Sequence, residues 1–268
     1  MSKTAICLIV SLLAIAPAAT DAQPVLQEIC RGFLVWYETH DATDAPEAGY
    51  RAELIARGVA PAEAERRLAL MRESANACPA AAGAAFDRIY RDPTPRFNTA
   101  PNALLAETVE GMEPGRALDV AMGQGRNSLF LARNGWDVTG FDVSSRGLSI
   151  ANAAAETARV KIHAVHQGWQ EFDLGKEQWD LIVLSYAWVP IDDPAYVQRL
   201  CDALRPGGYV VFEHLLGESR AGLGVPAPQQ LLRTFDGLHI LRYEEADEVS
   251  DWNNKKSPVV RLVARKAV

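Results

Sequence analysis

Two carboxylates and two glycines near the middle of the chain have the types and spacing of a ligand-binding loop. Asp119 lies in a short apolar run, Gly123 and Gly125 follow that run, and Asp142 ends the next apolar run. Glycines after a buried strand let the backbone approach a ligand closely, and an acid at the end of the next strand can accept hydrogen bonds from both ribose hydroxyls. The spacing predicts a site for a nucleoside-containing ligand.

Asp119 indicates which ligand this loop favours. A carboxylate beneath the glycines repels a pyrophosphate at close range and attracts a cation. In addition, Ser128 stands where the dinucleotide fingerprint G-x-G-x-x-G requires its third glycine. A cofactor that carries both a ribose and an ammonium group, S-adenosylmethionine, fits these residues better than a dinucleotide does.

The elements around the loop alternate between strand and helix patterns. The predicted strands are Leu118–Ala121, Trp136–Phe141, Val160–Val165, Leu181–Ser185, Tyr209–Glu213, Leu238–Tyr243 and Val259–Ala264. We interpret Glu244–Ser257 as a long polar loop between the last two. The alternation predicts an α/β, Rossmann-like fold with a seven-stranded, mostly parallel sheet and helices on both faces. Ligands of such sheets bind at the carboxyl ends of the strands, where the glycine loop is expected.

The N-terminal part of the chain shows only helical patterns, which predict three or four helices without an obvious chemical constellation. The predicted helices are Val25–Tyr37, Tyr50–Arg57, Pro61–Ala77 and Ala80–Tyr90. We therefore expect a signal peptide at residues 1–22, a helical region at 23–95 and a single α/β domain at 96–268.

The first residues have the pattern of a secretory signal. Lys3 precedes the apolar run Ile6–Ile15, and small residues up to Ala22 suit a cleavage site. The pattern predicts an exported protein, periplasmic or secreted, with no membrane span after cleavage; an uncleaved N-terminal anchor is the alternative. Cys30 and Cys78 could pair in an oxidising compartment, although the three cysteines left after cleavage allow three pairings.

The charge composition of the chain indicates which kind of molecule it binds. Acidic side chains outnumber basic ones by 34 to 27, the formal net charge is -7, and no block of Lys or Arg occurs. This composition disfavours a nucleic-acid partner and favours a small molecule. His163 and His166 have no Cys or carboxylate at metal-ligand spacing, so we expect no metal site.

The segment around the loop resembles a known family. Asp119–Gly125 looks like the D/E-x-G-x-G-x-G motif of class I S-adenosylmethionine-dependent methyltransferases, and the following RNSLFLA is similar to a run in small-molecule members of the tellurite-resistance-like type. The similarity continues through GFDVS, DLIVL and LRPGG and covers about residues 97–268. It implies the same α/β fold and S-adenosylmethionine as cofactor.

The resemblance also implies roles for individual residues. Gly123 and Gly125 would let the backbone approach the cofactor, Asp142 would bind its ribose, and Asp119 would bind its methionine end, directly or through water. Further cofactor contacts are implied for Asn127, Val143, Trp169 and Ser185.

Two positions depart from the family pattern. Ala121 stands where the first glycine of the motif is usual, a position that can carry a methyl group if the strand is still regular there. Gly168 stands where an acid beside the adenine is usual, and backbone groups around Gly168 and Trp169 could replace that acid.

Tyr186 and His214 are the candidate catalytic residues, because they follow the fourth and fifth predicted strands at the ligand-binding edge. His214 is the better candidate for a general base, which is required only if the acceptor must lose a proton. We predict methyl transfer from S-adenosylmethionine to a small-molecule acceptor by direct in-line displacement, with the protein supplying alignment and exclusion of water. A non-catalytic adenosyl-ligand-binding module and a nicotinamide-dependent oxidoreductase are the alternatives.

Overall fold

The computed structural model describes residues 19–40, 46–73, 79–91, 97–217, 225–252 and 254–268. The apolar core of the predicted signal peptide, the predicted disulfide partner Cys78, and Pro93 and Pro95 at the predicted domain boundary lie outside these residues. The first helix begins at Ala19, so the predicted cleavage position near Ala22 falls within it.

A seven-stranded sheet forms the centre of the fold, in the order β3-β2-β1-β4-β5-β7-β6. Its strands are β1 (Arg116–Val120), β2 (Asp137–Asp142), β3 (His163–His166), β4 (Trp179–Ser185), β5 (Leu204–Leu215), β6 (His239–Val249) and β7 (Lys256–Arg265). Strands β1 to β5 are parallel, and β7 is antiparallel to both of its neighbours. The predicted mostly parallel, seven-stranded Rossmann-like sheet is confirmed.

The central strand β4 shows why the sheet is covered on both faces. Leu181 and Val183 pack with one apolar cluster, and Ile182 and Leu184 pack with another on the opposite face. All four side chains are fully buried, because alternate residues of a strand point to opposite faces.

Helices supply the two covering layers and the N-terminal region. They are α1 (Ala19–Thr39), α2 (Pro46–Ala56), α3 (Pro61–Glu73), α4 (Pro79–Ile89), α5 (Ala103–Val109), α6 (Arg126–Arg133), α7 (Ser145–Ala158), α8 (Pro194–Ala203) and α9 (Gln230–Thr234). Asn102, Ser144 and Asp193 accept a backbone hydrogen bond at the start of α5, α7 and α8, respectively. Side-chain caps of this kind satisfy amides that the first helical turn leaves unpaired.

The predicted polar loop Glu244–Ser257 is wrong in its bounds. Strand β6 continues to Val249 and β7 begins at Lys256, so the connection between them is a turn of six residues, 250–255. The polar residues reflect the position of β6 at the edge of the sheet, where its acids pair with β7: Arg261 lies 2.9 Å from Glu248 and 3.6 Å from Glu244. The turn carries Ser250, Asp251 and Trp252 to the carboxyl edge of the sheet.

The N-terminal helices have a small aromatic core of their own and dock through α4. That core contains Phe33, Trp36, Tyr50 and other apolar side chains. From α4, the Asp87 carboxylate accepts hydrogen bonds from the Ser144 hydroxyl (2.6 Å), the Ser145 hydroxyl (3.0 Å) and the Arg146 amide (2.9 Å). Helix α4 is thereby fixed over the start of α7, beside the glycine loop.

Two of the cysteines lie among the described residues. Cys30 on α1 is disulfide-bonded, and Cys201 is a free thiol. Among the described residues, no helix combines the length and the apolar character needed to cross a bilayer.

Candidate functional site

A cleft with a volume of about 300 Å³ opens at the carboxyl ends of β1, β2 and β4. It lies where the strand order reverses, between β1 and β4, which is the usual ligand position in such sheets. One side, which we call the loop side, is formed by Asp119, Ala121, Met122, Gly123, Gln124, Arg126, Asn127, Phe141, Asp142, Val143, Gln167, Trp169, Gln170 and Ser185. The other side, which we call the aromatic wall, is formed by Tyr90, Phe97, Tyr186, Trp188 and Trp252.

The glycine loop turns sharply because both glycines adopt left-handed backbone angles. Gly123 has φ 53° and lines the cleft, whereas Gly125 has φ 79° and faces away from it. A Cβ atom on Gly125 would lie only 2.8 Å from the Cβ atom of Ala151 on α7. Gly123 therefore leaves room for the Tyr90 hydroxyl over its backbone, and Gly125 permits the turn and the close packing of the helices behind it.

Ala121 does not continue the strand. Strand β1 ends at Val120, and Ala121 has φ 55°. The expectation of a regular strand at this position is therefore wrong, because the chain already turns into the loop here. An alanine in this left-handed region costs about 1–2 kcal/mol relative to the right-handed conformation.

Asp142 braces the glycine loop from the next strand. Its Oδ2 accepts a hydrogen bond from the Gly123 amide at 2.8 Å, and its Oδ1 accepts one from the Ser144 amide at 2.7 Å. Burial raises the pKa of the carboxyl group, and the two amides oppose that rise. Each carboxylate oxygen retains a second lone pair, so Asp142 can still accept hydrogen bonds from a ribose in the cleft.

Asp119 is a buried carboxylate without a cationic partner among the described residues. Its exposed fraction is 2%, and the Ser128 hydroxyl donates a 2.6 Å hydrogen bond to its Oδ2. Burial raises its pKa to about 6, against the opposing effects of Ser128 and the Arg126 charge. A buried anion at the edge of a cleft repels phosphate and favours an ammonium group, so this residue fits S-adenosylmethionine and not a dinucleotide.

The loop after β3 lines the cleft through Gln167, Trp169 and Gln170, but Gly168 is not a lining residue. The Gly168 carbonyl instead accepts hydrogen bonds from the amides of Glu171 (3.1 Å) and Phe172 (3.0 Å). The Gly168 carbonyl is thus engaged within the loop, and an adenine contact by the backbone around Gly168 and Trp169 stays a prediction. Gln167 and Gln170 bring side-chain amides, which can donate and accept hydrogen bonds, to this part of the lining.

Tyr186 reaches the cleft through its ring and not through its hydroxyl group. The hydroxyl donates to Glu213 Oε1 at 2.7 Å and accepts from the Ser250 hydroxyl at 3.0 Å. The other oxygen of Glu213 accepts from Arg261 Nε at 2.9 Å. Burial, together with the charge of Glu213, raises the pKa of the phenol. A hydroxyl held this way does not accept a proton from an acceptor, so Tyr186 can only shape the cleft.

His214 lies behind the aromatic wall and does not line the cleft. Its ring is fully buried against Trp188 and Tyr186, at centroid distances of 5.1 and 5.7 Å. Its Nδ1–H donates to the Leu215 carbonyl at 3.1 Å, whereas Nε2 has no hydrogen-bond partner among the residues that the structure describes. Burial lowers its pKa to about 4. The predicted role of a general base is not supported, because the imidazole is separated from the cleft and weakly basic.

The remaining predicted residues lie on the loop side. Val143, Trp169 and Ser185 line the cleft. Asn127 also lines it, and its side-chain oxygen accepts a hydrogen bond from the Asn102 amide at 2.9 Å. The structure thus brings together the predicted cofactor-binding residues except Gly125 and Gly168.

Sequence reasoning missed the side of the cleft that distant segments supply. Helix α4 contributes Ala82 and Phe86, and Tyr90 follows it. The Tyr90 hydroxyl lies over Gly123, where an added Cβ would meet it at 2.3 Å, and it accepts a hydrogen bond from the Gln124 amide. No local motif marks these positions, because an ordinary amphipathic pattern describes α4 equally well.

Arg126 fastens the β6–β7 turn to the glycine loop. Its guanidinium donates to Asp251 Oδ1 at 2.9 Å, to the Asp251 carbonyl at 3.1 Å and to the Ser185 hydroxyl at 3.2 Å. The other oxygen of Asp251 accepts from the Asn102 side chain at 2.7 Å. This ion pair is largely buried, with side-chain exposures of 10% and 20%, and it positions Trp252 over the cleft.

Comparison with known proteins identifies relatives of the α/β part. Residues 117–208 match a family model described as a methyltransferase domain. A ubiquinone biosynthesis O-methyltransferase of Erwinia tasmaniensis is 30% identical over 165 residues, which are 60% of this chain and 68% of the relative. A probable S-adenosyl-L-methionine-dependent methyltransferase, TehB of Haemophilus influenzae, is 24% identical over 58% of this chain and 54% of its own length.

The crystal structure of TehB from Haemophilus influenzae superposes with a TM-score of 0.53 at 21% identity, covering 62% of each chain. At this level of identity the superposition shows a shared fold. The matched part of the chain thus covers between about half and two thirds of the length of these relatives. The family model begins at residue 117, so the N-terminal helices lie outside it.

Proposed function

Because the chain belongs to the class I S-adenosylmethionine-dependent methyltransferases, we propose that its cleft transfers a methyl group to a small-molecule acceptor by direct in-line displacement. S-adenosylmethionine is the cofactor of this family, and the chain is similar to TehB over 58% of its length. The observation that carries the assignment to this cleft is the buried Asp119 carboxylate beside the glycine loop, which has no cation of its own among the described residues.

The loop side supplies the groups that the cofactor requires. Asp119 would hold the ammonium group, Asp142 would accept hydrogen bonds from the ribose, and Gly123, which lines the cleft without a side chain, would let the cofactor approach the loop. Gln167 or Gln170 would bind the adenine edge in place of the acid that the family usually carries, and Trp169 would contact its face. The same buried carboxylate disfavours the nicotinamide alternative, because a pyrophosphate would meet an anion.

When bound, the cofactor supplies a methyl group on a cationic sulfur, which is already a good leaving group. The protein then needs to align the acceptor and exclude water. The aromatic wall excludes water, and the Arg126–Asp251 pair keeps that wall in place. Neither Tyr186 nor His214 is placed to remove a proton, so this chain acts by positioning.

Ligand binding tests the proposed function directly. Isothermal titration should show binding of S-adenosylmethionine and S-adenosylhomocysteine and no binding of NAD. Lack of binding of both adenosyl ligands at millimolar concentration would refute the assignment. Transfer of an isotopically labelled methyl group to a mixture of small nucleophiles, followed by mass spectrometry, separates an active enzyme from a module that only binds the ligand.

We also propose that the chain is exported to the periplasm or secreted. The Lys3 and Ile6–Ile15 pattern supports this proposal, and so does the disulfide at Cys30, because stable disulfides are typical of oxidising compartments. N-terminal sequencing of the mature protein from fractionated cells of the native host is the test. A protein that retains Lys3 in a cytosolic fraction would contradict export.

A further inference from the structure

One face of helix α4 belongs to the cleft, although this helix precedes the segment that the family model matches. Ala82 and Phe86 line the cleft from α4, and Tyr90 lines it directly after the helix ends. These residues are spaced four positions apart, so they lie along one side of the helix. The helix thus presents one continuous surface to a molecule in the cleft.

Two glycines bring α4 into close contact with the end of β2 and with α7. A Cβ atom on Gly83 would lie only 2.5 Å from the carbonyl oxygen of Val143, the residue that follows Asp142. A Cβ atom on Gly147 would lie 3.0 Å from the Tyr90 ring. The backbone of α4 therefore packs directly against the strand end that carries the carboxylate assigned to the ribose.

Hydrogen bonds join α4 to the residues assigned to the cofactor. The Ser144 hydroxyl donates to Asp87 of α4 at 2.6 Å, and the amide of the same serine donates to Asp142 at 2.7 Å. The Tyr90 hydroxyl makes a second connection, because it accepts a hydrogen bond from the Gln124 amide in the glycine loop. The position of α4 is thereby tied both to the ribose carboxylate and to the glycine loop.

We propose that α4 completes the cofactor site, with the Phe86 ring in contact with the adenosyl group and with Asp87 and Tyr90 as positioning residues; this inference rests on the proposed function. Phe86 lies between the Gly83 contact and the Tyr90 contact along the chain, so its ring faces the part of the cleft beside the ribose carboxylate. A ligand that touches the docked helix stabilises the docked state, and by linkage the docked helix raises the affinity for that ligand by the same factor. Cofactor binding and docking of the N-terminal helical region therefore favour each other.

Amide hydrogen exchange of the wild-type protein is the first test. Saturating S-adenosylhomocysteine should slow exchange across α4 by about threefold or more, because opening of the helix then requires loss of the ligand contacts. The matched control is α9, which does not line the cleft and should change less than α4. If the ligand binds and exchange across α4 is unchanged, the proposal is wrong. Failure of S-adenosylhomocysteine to bind the wild-type protein at all would instead refute the proposed function, which is a separate outcome.

A variant that wedges α4 away from β2 is the second test. Alanine favours a helix more than glycine does, so Gly83→Ala should strengthen α4 itself while the added methyl group pushes the helix away from Val143. We expect the affinity for S-adenosylhomocysteine to fall about fivefold or more, with no loss of helical content by circular dichroism. Gly237→Ala is the matched control, because its added Cβ atom meets open space, and its affinity should stay within about twofold of the wild-type value. An unchanged affinity in Gly83→Ala would overturn the coupling.

The Asp87 contact provides the third test. Asp87→Ala removes the hydrogen-bond acceptor on α4, so the affinity for S-adenosylhomocysteine should fall about fivefold or more. Asp87→Asn should restore most of this loss, because the amide oxygen can still accept from the Ser144 hydroxyl and the Arg146 amide, which share one carboxylate oxygen. Equal affinity in the wild-type protein and Asp87→Ala would show that this contact does not position the site.

Discussion

The Ser128 hydroxyl donates a 2.6 Å hydrogen bond to the Asp119 carboxylate, and both side chains are buried beneath the glycine loop. One hydrogen bond does not compensate for removing a carboxylate from water, so the pKa of Asp119 rises from 3.8 to about 6. Because the folded-state pKa lies above the unfolded value, the ionised carboxylate destabilises the ligand-free protein above about pH 6, and this cost disappears as the pH falls below the unfolded value.

Asp119→Asn should therefore change stability and binding in opposite directions. At pH 8 we expect the free energy of unfolding of the ligand-free protein to rise, by up to about 3 kcal/mol if the full pKa difference is recovered, and the affinity for S-adenosylmethionine to fall about tenfold or more. Denaturant unfolding and isothermal titration measure the two quantities. Asp137→Asn, at an exposed position on β2, is the matched control and should change neither. A destabilised Asp119→Asn protein would contradict the assignment of a buried, unpaired charge.

The pH dependence of cofactor binding follows from the same carboxyl group. An ammonium group binds the ionised form, so the affinity for S-adenosylmethionine should be constant above about pH 6 and should fall below that value, approaching a loss of about tenfold per pH unit. Titrations between pH 4.5 and 8 in buffers of different ionisation enthalpy would also detect the proton released on binding. In Asp119→Asn the dependence should be flat, and an unchanged slope there would assign the titration to another group.

Asp142 should contribute to both the loop and the ribose site. Asp142→Ala removes the acceptor of two buried amides, so we expect a loss of about 1–3 kcal/mol in the free energy of unfolding in addition to a loss of about tenfold or more in affinity for S-adenosylhomocysteine. The 2′-deoxy analogue of that ligand separates the two effects. Wild-type protein should prefer the ribose form, and Asp142→Ala should bind both forms equally; a preference that persists would refute the ribose contact.

Ala121→Gly should stabilise the protein. Glycine removes the cost of holding alanine at φ 55°, which is about 1–2 kcal/mol. It also raises the conformational entropy of the unfolded chain, which lowers stability by about 0.4–1 kcal/mol. The expected net gain in the free energy of unfolding is about 0.5–1 kcal/mol. The contrasting variant is Ala117→Gly, in a regular and fully buried part of β1, which should lose stability. Thermal and denaturant unfolding of the pair would check the prediction, and equal losses in both would contradict it.

The Arg126–Asp251 pair should affect the acceptor more than the cofactor. Asp251→Ala frees the β6–β7 turn and leaves a buried guanidinium without its carboxylate, so the acceptor KM should rise about fivefold or more while the affinity for S-adenosylhomocysteine changes less than about twofold. Arg242→Gln, which removes an exposed ion pair with Glu107, is the control and should have little effect on either. If the affinities for the acceptor and for S-adenosylhomocysteine fell together, the Arg126–Asp251 pair would instead stabilise the fold as a whole.

Local patterns predicted most of the fold because they report burial and capping directly. The apolar run of β4, the caps at Ser144 and Asp193, and the loop between β1 and α6 all lie within a few residues of the signals that predict them. The second half of the edge strand β6, from Glu244 to Val249, was predicted as loop because its exposed acids resemble a loop until Arg261 on the neighbouring strand is known.

The cofactor side of the site was predictable, and the acceptor side was not. Asp119 and Asp142 lie at the carboxyl ends of the neighbouring strands β1 and β2, and Gly123 follows β1, so parallel topology brings them to one edge. Tyr90 and Trp252 reach the cleft from opposite ends of the chain, through packing that no local period encodes. The expectation for His214 failed for a related reason: its place at a strand end was correct, but the rings of Tyr186 and Trp188 lie between it and the cleft.

Strand β7 lies between β5 and β6 in the sheet and is antiparallel to both of them. The turn that carries Trp252 joins β6 to β7, so the place of that ring depends on pairings that extend across three strands. One side of the cleft is therefore built on the outer part of the sheet, and any change that loosens β7 from β5 would reshape the cleft without touching a residue that lines it.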